Sequence, residues 1–189
     1  METKISNDEF LQTVNNIFKR LSLMNDKSLK KSILAKLRNS LGKPLSQTIE
    51  IWSILFEYLP EKFLSDNYSE NYAETVILTT LQLYAVHQQG FDVNVLDDEN
   101  FKSIGFSLSQ LRTEENKFAL DRRFNSMITS STFDELSTHL RHLVKQLKSK
   151  SPVIKVDYVK LSWDLYMFLL GNEEKVRLNW ARDYYKKQF

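Results

Sequence analysis

The sequence predicts an all-α protein, and three observations lead to that prediction. Only four glycines and three prolines occur in 189 residues, which disfavours a fold built from strands and tight turns. Apolar residues recur three and four positions apart, as they do on one face of a helix. Helix-capping patterns precede several of these apolar runs. We therefore expect helices that pack antiparallel across short loops, as in a bundle.

The N-terminal half contains the patterns of four helices. Each begins at a capping residue or after a short polar segment, and three of them end at a glycine or a proline. The predicted helices are 7–21 behind a Ser6/Glu9 capping box, 28–41 ahead of Gly42, 45–59 ahead of Pro60, and 72–89 behind an Asn71/Glu74 capping box.

Residues 91–106 form a predicted loop that carries the acidic run at 97–99. We place the boundary between two helical lobes there, so that residues 1–100 form an N-terminal lobe and residues 101–189 a C-terminal lobe of one compact unit. The C-terminal helices are predicted from about 107, at 115–129, at 133–148 behind Thr132/Glu135, at 158–170 behind Asp157, and at 173–187 behind Asn172. Residues 153–156 have the composition of a short extended segment.

Composition excludes several classes of protein. The chain has no cysteine, so disulfides, thiol catalysis and cysteine-ligated zinc are excluded. The N-terminus has no apolar stretch of signal-peptide length. The longest dense apolar run, 165–170, is far shorter than the roughly 20 residues that span a bilayer. We expect a cytoplasmic protein with no membrane contact.

Candidate catalytic and metal-binding patterns are weak. His139 and His142 lie three residues apart on one predicted helix, but a zinc site needs further ligands and His87 lies on a different helix. The four glycines are too scattered for a phosphate-binding loop. Paired carboxylates such as Glu114-Glu115 sit in first turns, where the helix dipole favours negative charge. We predict no enzyme activity, no metal and no cofactor.

Charge is distributed unevenly along the chain although the net charge is only +2. Residues 1–43 carry a balance of +5, residues 44–116 a balance of −9, and residues 117–189 a balance of +6. Helical spacing gathers basic side chains into stripes roughly 10 Å long. The stripes contain Lys27, Lys31 and Arg38; Arg141, Lys145 and Lys148; and Lys175, Arg182 and Lys186. Each stripe is able to contact consecutive phosphates of a nucleic acid. Each is also typical of the solvent-exposed face of an ordinary amphipathic helix.

Other notable side chains have a structural explanation. Arg177 lies beside an apolar face, and we expect it to pair with Glu173 one turn earlier. Trp163, Trp180, Tyr184 and Tyr185 are able to stack on bases, but at helical spacing we expect them in the core.

Several short segments, in a fixed order, resemble the CasB family, the small subunit of the type I-E CRISPR Cascade complex. The segments are L-R-N-S-L at 37–41, L-Y-A at 83–85, G-x-S-L at 105–108, L-R at 111–112, D-R-R-F at 121–124, L-R at 140–141 and W-A-R-D-Y-Y at 180–185. In the first of them, Asn39 stands where the family has a second arginine. The last segment is the most specific of them. The likeness runs from about residue 34 to the C-terminus.

The resemblance implies a non-catalytic subunit of an RNA-guided antiviral complex. Such subunits form a head-to-tail pair, touch the repeated backbone subunit and the large subunit, and hold the displaced and target DNA strands while contacting the guide RNA only indirectly. The basic positions that match the family are Arg38, Arg122, Arg123 and Arg141, with Arg112 and Lys145 as peripheral contributors. The competing interpretation is a helical protein-interaction adaptor without nucleic-acid contact. A free-standing helix-turn-helix protein is a third, weaker one.

Overall fold

The computed structural model describes residues 5–65, 70–98, 101–150 and 153–186. Within them the chain forms nine α-helices, and the predicted all-α class is confirmed. The helices are α1 (Asn7–Ser22), α2 (Lys27–Asn39), α3 (Ile49–Phe56), α4 (Tyr72–Gln88), α5 (Ile104–Ser109), α6 (Lys117–Ile128), α7 (Phe133–Lys148), α8 (Tyr158–Met167) and α9 (Glu173–Tyr185). No helix of the described residues is long and apolar enough to cross a membrane.

Local capping sets most of the helix starts, as predicted. The side chains of Ser6, Thr132 and Asp157 each accept a hydrogen bond from the backbone N–H three residues later. Asn71 and Glu74 form a complete capping box at the start of α4. The predicted extended segment exists as a single parallel bridge between Leu96 and Val156.

Three predicted helix boundaries were wrong. The expected helix over 45–59 is a 3-10 turn, Leu45–Gln47, followed by α3. Thr48 separates the two with a non-helical backbone (φ −123°, ψ 47°), and its hydroxyl donates to the Leu45 carbonyl, which competes with helix continuation. Asn172 makes no capping hydrogen bond, because a π-turn over Phe168–Asn172 connects α8 to α9 with Gly171 at φ 80°. The helix α5 begins at Ile104, earlier than expected.

The fourth helix, α4, is the centre of the molecule. Fourteen of its 17 residues are buried. It packs against α2, α7 and α8, and α1 packs on α8. Such a helix has almost no polar face and needs neighbours on every side. The buried hydrophobic core is one connected cluster that includes residues from α1 to α9. The division into two lobes near residue 100 remains a prediction.

The C-terminal helix is held by buried aromatic side chains, as expected for Trp180 and Tyr184. The indole of Trp180 donates to the Asp164 carboxylate at 2.8 Å, and Lys160 pairs with the same carboxylate. The ring of Tyr184 stacks on Phe124 with centroids 3.8 Å apart. These contacts fix α9 against α6 and α8. Tyr185 differs from the expectation, since it is 44% exposed.

Close approach of α5 and α9 depends on a glycine. A Cβ placed on Gly105 would lie 2.1 Å from the carbonyl oxygen of Trp180, which is backbone and cannot swing away. The two helices therefore touch at a point where only hydrogen fits. This contact orients the segment that carries the W-A-R-D-Y-Y motif.

Replacing Gly105 by alanine is expected to destabilise the protein by about 3 kcal/mol, at the upper end for overpacking, because α5 and α9 must separate. The measurement is the free energy of unfolding from urea titration. Gly90→Ala is the comparison, since Gly90 has open space around it and only its positive φ of 89° opposes a side chain. That variant should lose about 1 kcal/mol. Equal losses for the two variants would contradict a packing role for Gly105.

The carboxyl group that caps α8 also makes stability depend on pH. Asp157 is almost fully buried, and burial raises its pKa to about 6. In the unfolded chain its pKa is about 3.9. The folded protein therefore holds this proton more tightly, so the stabilising contribution is complete below about pH 4 and is lost as the pH rises through 6.

Asp157→Asn should preserve the cap and remove the titration, because asparagine is an equally good N-cap. Relative to the wild type, the variant is expected to gain up to about 3 kcal/mol of unfolding free energy between pH 4 and pH 7. Urea titrations of both proteins at the two pH values measure this gain. A difference between the proteins that stays constant with pH would show that the pKa of Asp157 is not raised by folding.

Candidate nucleic-acid interface

Basic side chains from two helices converge beside the C-terminal end of α4. We call this depression the basic groove, and its lining residues are Arg38, Leu41, Val86, Gln89, Lys145, Lys148 and Ser149. Arg38 comes from the last turn of α2, and its Nη1 donates to the Ala85 carbonyl oxygen at 3.3 Å. Lys148 Nζ donates to Gln89 Oε1 at 2.8 Å. Both cations are thus oriented by hydrogen bonds to α4 or to the residue after it.

A second depression continues the basic groove along α2. It shares Arg38 and Gln89 with the groove, and adds Lys27, Lys30 and Lys31. The Lys30 ammonium donates to the Ser22 carbonyl oxygen at 2.9 Å. Partial burial lowers the pKa of Arg38 and of Lys30 from their ordinary values. The predicted stripe of Lys27, Lys31 and Arg38 therefore lines one continuous surface.

Arg141 occupies a polar pocket on the other side of Leu41, which lines both the pocket and the basic groove. Its guanidinium lies against Gly42, where a Cβ would be 2.7 Å from Nη2. The Nε of Arg141 is buried and has no hydrogen-bond partner among the described residues. The pocket also contains hydroxyl groups, one further cation and two carboxylates, from Thr75, Thr79, Ser137, Thr138, Lys43, Glu70 and Asp134. The pocket therefore combines two cations with two carboxylates, and the Nε of Arg141 has no partner among them.

The six predicted site residues fall into two groups. Arg38 and Lys145 line the basic groove, and Arg141 lines the adjoining pocket. The remaining three, Arg112, Arg122 and Arg123, line none of these depressions.

Arg112 has a structural partner on α6. Its Nε and Nη2 donate to the two carboxylate oxygens of Asp121 at 2.8 and 2.9 Å. This hydrogen bond holds the pKa of Asp121 below its usual range. The Tyr184 hydroxyl donates to the same carboxylate at 2.8 Å, so one acidic group connects α6 with α9 and with the turn after α5.

Three further arginines form no ion pair within the described residues. Arg122 and Arg123 are exposed, and neither contacts a carboxylate there. Arg177 does not pair with Glu173, so that expectation was wrong. Its Nη2 donates to the Ser130 carbonyl oxygen at 2.6 Å and its guanidinium lies over the Phe168 ring.

The lining residues that sequence reasoning missed are Lys30 and Gln89. Lys30 is one residue from the stripe at Lys27 and Lys31, and nothing in the spacing distinguishes it. Gln89 follows the last residue of α4 and becomes part of the groove only through Lys148, 59 residues later. The described residues contain no group of three His, Cys, Asp or Glu side chains arranged around a possible metal ion.

A protein-family model described as CRISPR-associated protein Cse2 matches residues 33–185 of the chain. The chain belongs to the Cse2 family. No curated protein matches the chain. The family assignment confirms the resemblance drawn from the sequence segments, and the match begins close to the position where that likeness begins.

Solved structures support the Cse2 fold over nearly the whole chain. CasB from Thermobifida fusca is similar at 26% identity and a TM-score of 0.70, over 94% of this chain and 96% of that protein. A chain of a structure described as a CRISPR RNA-guided surveillance complex is similar at 20% identity and a TM-score of 0.69, over 93% and 92%. A Cse2-family protein from Thermus thermophilus has 18% identity and a TM-score of 0.66, over 96% and 99%.

Arg112→Gln is expected to lower the free energy of unfolding by about 1 kcal/mol, because it removes a two-point charged hydrogen bond and leaves Asp121 with only Tyr184. Arg122→Gln and Arg123→Gln, one or two residues from Asp121, remove the same charge without a pairing partner and should change stability by less than about 0.5 kcal/mol. Thermal unfolding of the three variants measures the difference. Similar losses at all three positions would mean that charge alone, and not the Arg112–Asp121 contact, matters there.

Proposed function

We propose that this Cse2-family protein is the non-catalytic small subunit of a type I-E CRISPR RNA-guided surveillance complex. In this role it binds the DNA backbone without sequence preference and stabilises the R-loop during antiviral defence. The single observation that carries the proposal is the family match over residues 33–185, since it covers every residue that lines the basic groove. The similar chain from an RNA-guided surveillance complex supports the same role.

The chemistry of the groove agrees with backbone binding. Lysine and arginine side chains on two helices present positive charge to phosphates, and their contacts carry no information about base sequence. R-loop formation exchanges one duplex for another of similar stability, so a few backbone contacts are enough to change its lifetime. Such contacts require charge and reach and no reacting group.

The proposed partners follow from the same assignment. They are the backbone subunit and the large subunit of the complex, a second copy of this chain arranged head to tail, the target and displaced DNA strands, and the guide RNA through other subunits. The proposed location is the cytoplasm. Neighbouring genes that encode the other subunits beside a repeat array would support this set of partners, and their absence would favour the adaptor interpretation.

Charge reversal of Arg38 and Arg141 is expected to leave assembly intact and to shorten the R-loop lifetime, by about tenfold for each 1.4 kcal/mol of contact energy lost. The measurement is dissociation of target DNA from the reconstituted complex, followed at several salt concentrations. Guide-RNA binding should not change, because the groove is proposed to hold DNA.

The matched control reverses Lys19 and Lys36, which are exposed and lie outside the basic groove and its two adjoining depressions. It makes the same change in net charge and should leave the lifetime close to that of the wild type. A groove variant that assembles and holds R-loops as long as the wild type refutes the groove assignment. A groove variant that is folded but excluded from the complex supports the adaptor interpretation.

A further inference from the structure

The outward side of α6 carries an aromatic ring that is almost entirely in solvent. Phe118 is 81% exposed, more than any other large hydrophobic side chain of the described residues. Arg122 and Asn125 lie one and two turns further on the same side of the helix. The Tyr185 hydroxyl donates to Asn125 Oδ1 at 3.0 Å, which places a second exposed ring at the end of this row. We call Phe118, Arg122, Asn125 and Tyr185 the aromatic face.

Cations accompany both rings of the aromatic face. Lys117 Nζ lies 5.4 Å from the centroid of Phe118, and the Arg112 guanidinium lies 5.8 Å from that of Tyr185. The nearby carboxylates of Glu114 and Asp121 are paired with these two cations. Glu115 is an exposed acidic group close to the row. Arg122 is exposed, lies between Phe118 and Asn125 along α6, and forms no ion pair among the described residues.

The aromatic face extends along α6 and combines exposed rings with a cation. Phe118 and Asn125 are seven residues apart on one helix, which corresponds to roughly 10 Å. Flat exposed rings and an arginine between them are the features with which proteins hold unpaired bases, since a base offers a π-face and its phosphate a negative charge.

We infer that the aromatic face binds unpaired bases of a single DNA strand. The inference rests on the proposed function and gives Arg122, with Arg112 beside Tyr185, a task separate from that of the basic groove. The basic groove is lined by charged, aliphatic and small polar side chains and suits a phosphate backbone of either a duplex or a single strand. The aromatic face adds recognition of strands whose bases are not paired, as in the displaced strand of an R-loop.

The experiment compares three DNA probes: a single strand of thymidines, a strand of the same length with abasic sites, and a duplex. Phe118→Ala should weaken binding of the thymidine strand by about tenfold, the effect of losing roughly 1.4 kcal/mol of stacking. Binding of the abasic strand and of the duplex should stay within about twofold of the wild type. The dependence on salt should not change, because no phosphate contact is removed.

Two further variants complete the test. Phe118→Trp should restore binding of the thymidine strand, since tryptophan offers a larger ring for stacking. Ile49→Ala truncates another well-exposed hydrophobic side chain, on α3, and should bind all three probes as the wild type does. Recovery with tryptophan but not with alanine identifies the ring itself as the binding group.

The outcomes separate the inference from the function on which it rests. A wild-type protein that binds none of the probes overturns the proposed DNA binding altogether. A protein that binds the duplex and the abasic strand with steep salt dependence, and whose Phe118→Ala variant binds thymidines normally, overturns only the aromatic face. If Phe118→Ala instead prevents assembly with the other subunits and leaves all DNA binding intact, Phe118 is a protein contact and the inference is wrong.

Discussion

The enclosure of α4 is the constraint on which the remaining structure depends. A helix that is buried around nearly its whole circumference gains stability only when other helices cover each side. The surrounding helices α2, α7 and α8 meet this requirement. Inside the enclosure, the Gln82 amide donates to the carbonyl oxygen and the hydroxyl of Ser40, whereas the buried Nε2 of His87 has no hydrogen-bond partner among the described residues. The positions of the outer helices follow from the need to cover α4.

The basic groove forms at the C-terminal end of α4, where the surrounding helices no longer enclose it. The last turn of α4 has carbonyl groups without helical partners, and cationic side chains are the favourable neighbours for them. Arg38 reaches the Ala85 carbonyl oxygen at this end. Lys148 binds the side chain of Gln89 just beyond it. Covering α4 with α2 and α7 therefore also brings positive charge from two distant parts of the chain to one place.

Local interactions explain which parts of the fold were predictable from sequence. The Asn71/Glu74 capping box involves residues only three positions apart, so the sequence pattern is enough to predict its hydrogen bonds. The break at Thr48 was missed because its hydroxyl competes with the helix in a way that apolar periodicity does not report. Basic stripes, by contrast, were predictable from the composition of α2 and α7. The helical period correctly placed Lys27, Lys31 and Arg38 on one surface.

Long-range pairing explains what sequence reasoning could not provide at the site. The natural expectation for Arg177 was a carboxylate one turn away, yet the side chain bonds to a carbonyl oxygen 47 residues earlier. Asp121 lies next to Arg122 in sequence and pairs with Arg112 because the turn after α5 brings that side chain across. The exposure of Phe118 could not be predicted from the sequence either, since an aromatic residue at helical spacing is usually buried.

The contact between Gly105 and the Trp180 carbonyl has a consequence for the order in which the chain folds. A helix as short as α5 has little stability alone, and its packing surface is α9, about 75 residues later in the sequence. During synthesis at roughly 5–20 residues per second, α5 therefore waits on the order of 4–15 s for its partner. The covered helix α4 follows one of its partners, α2, in the sequence, whereas α5 gains its packing surface only when α9 has been synthesised.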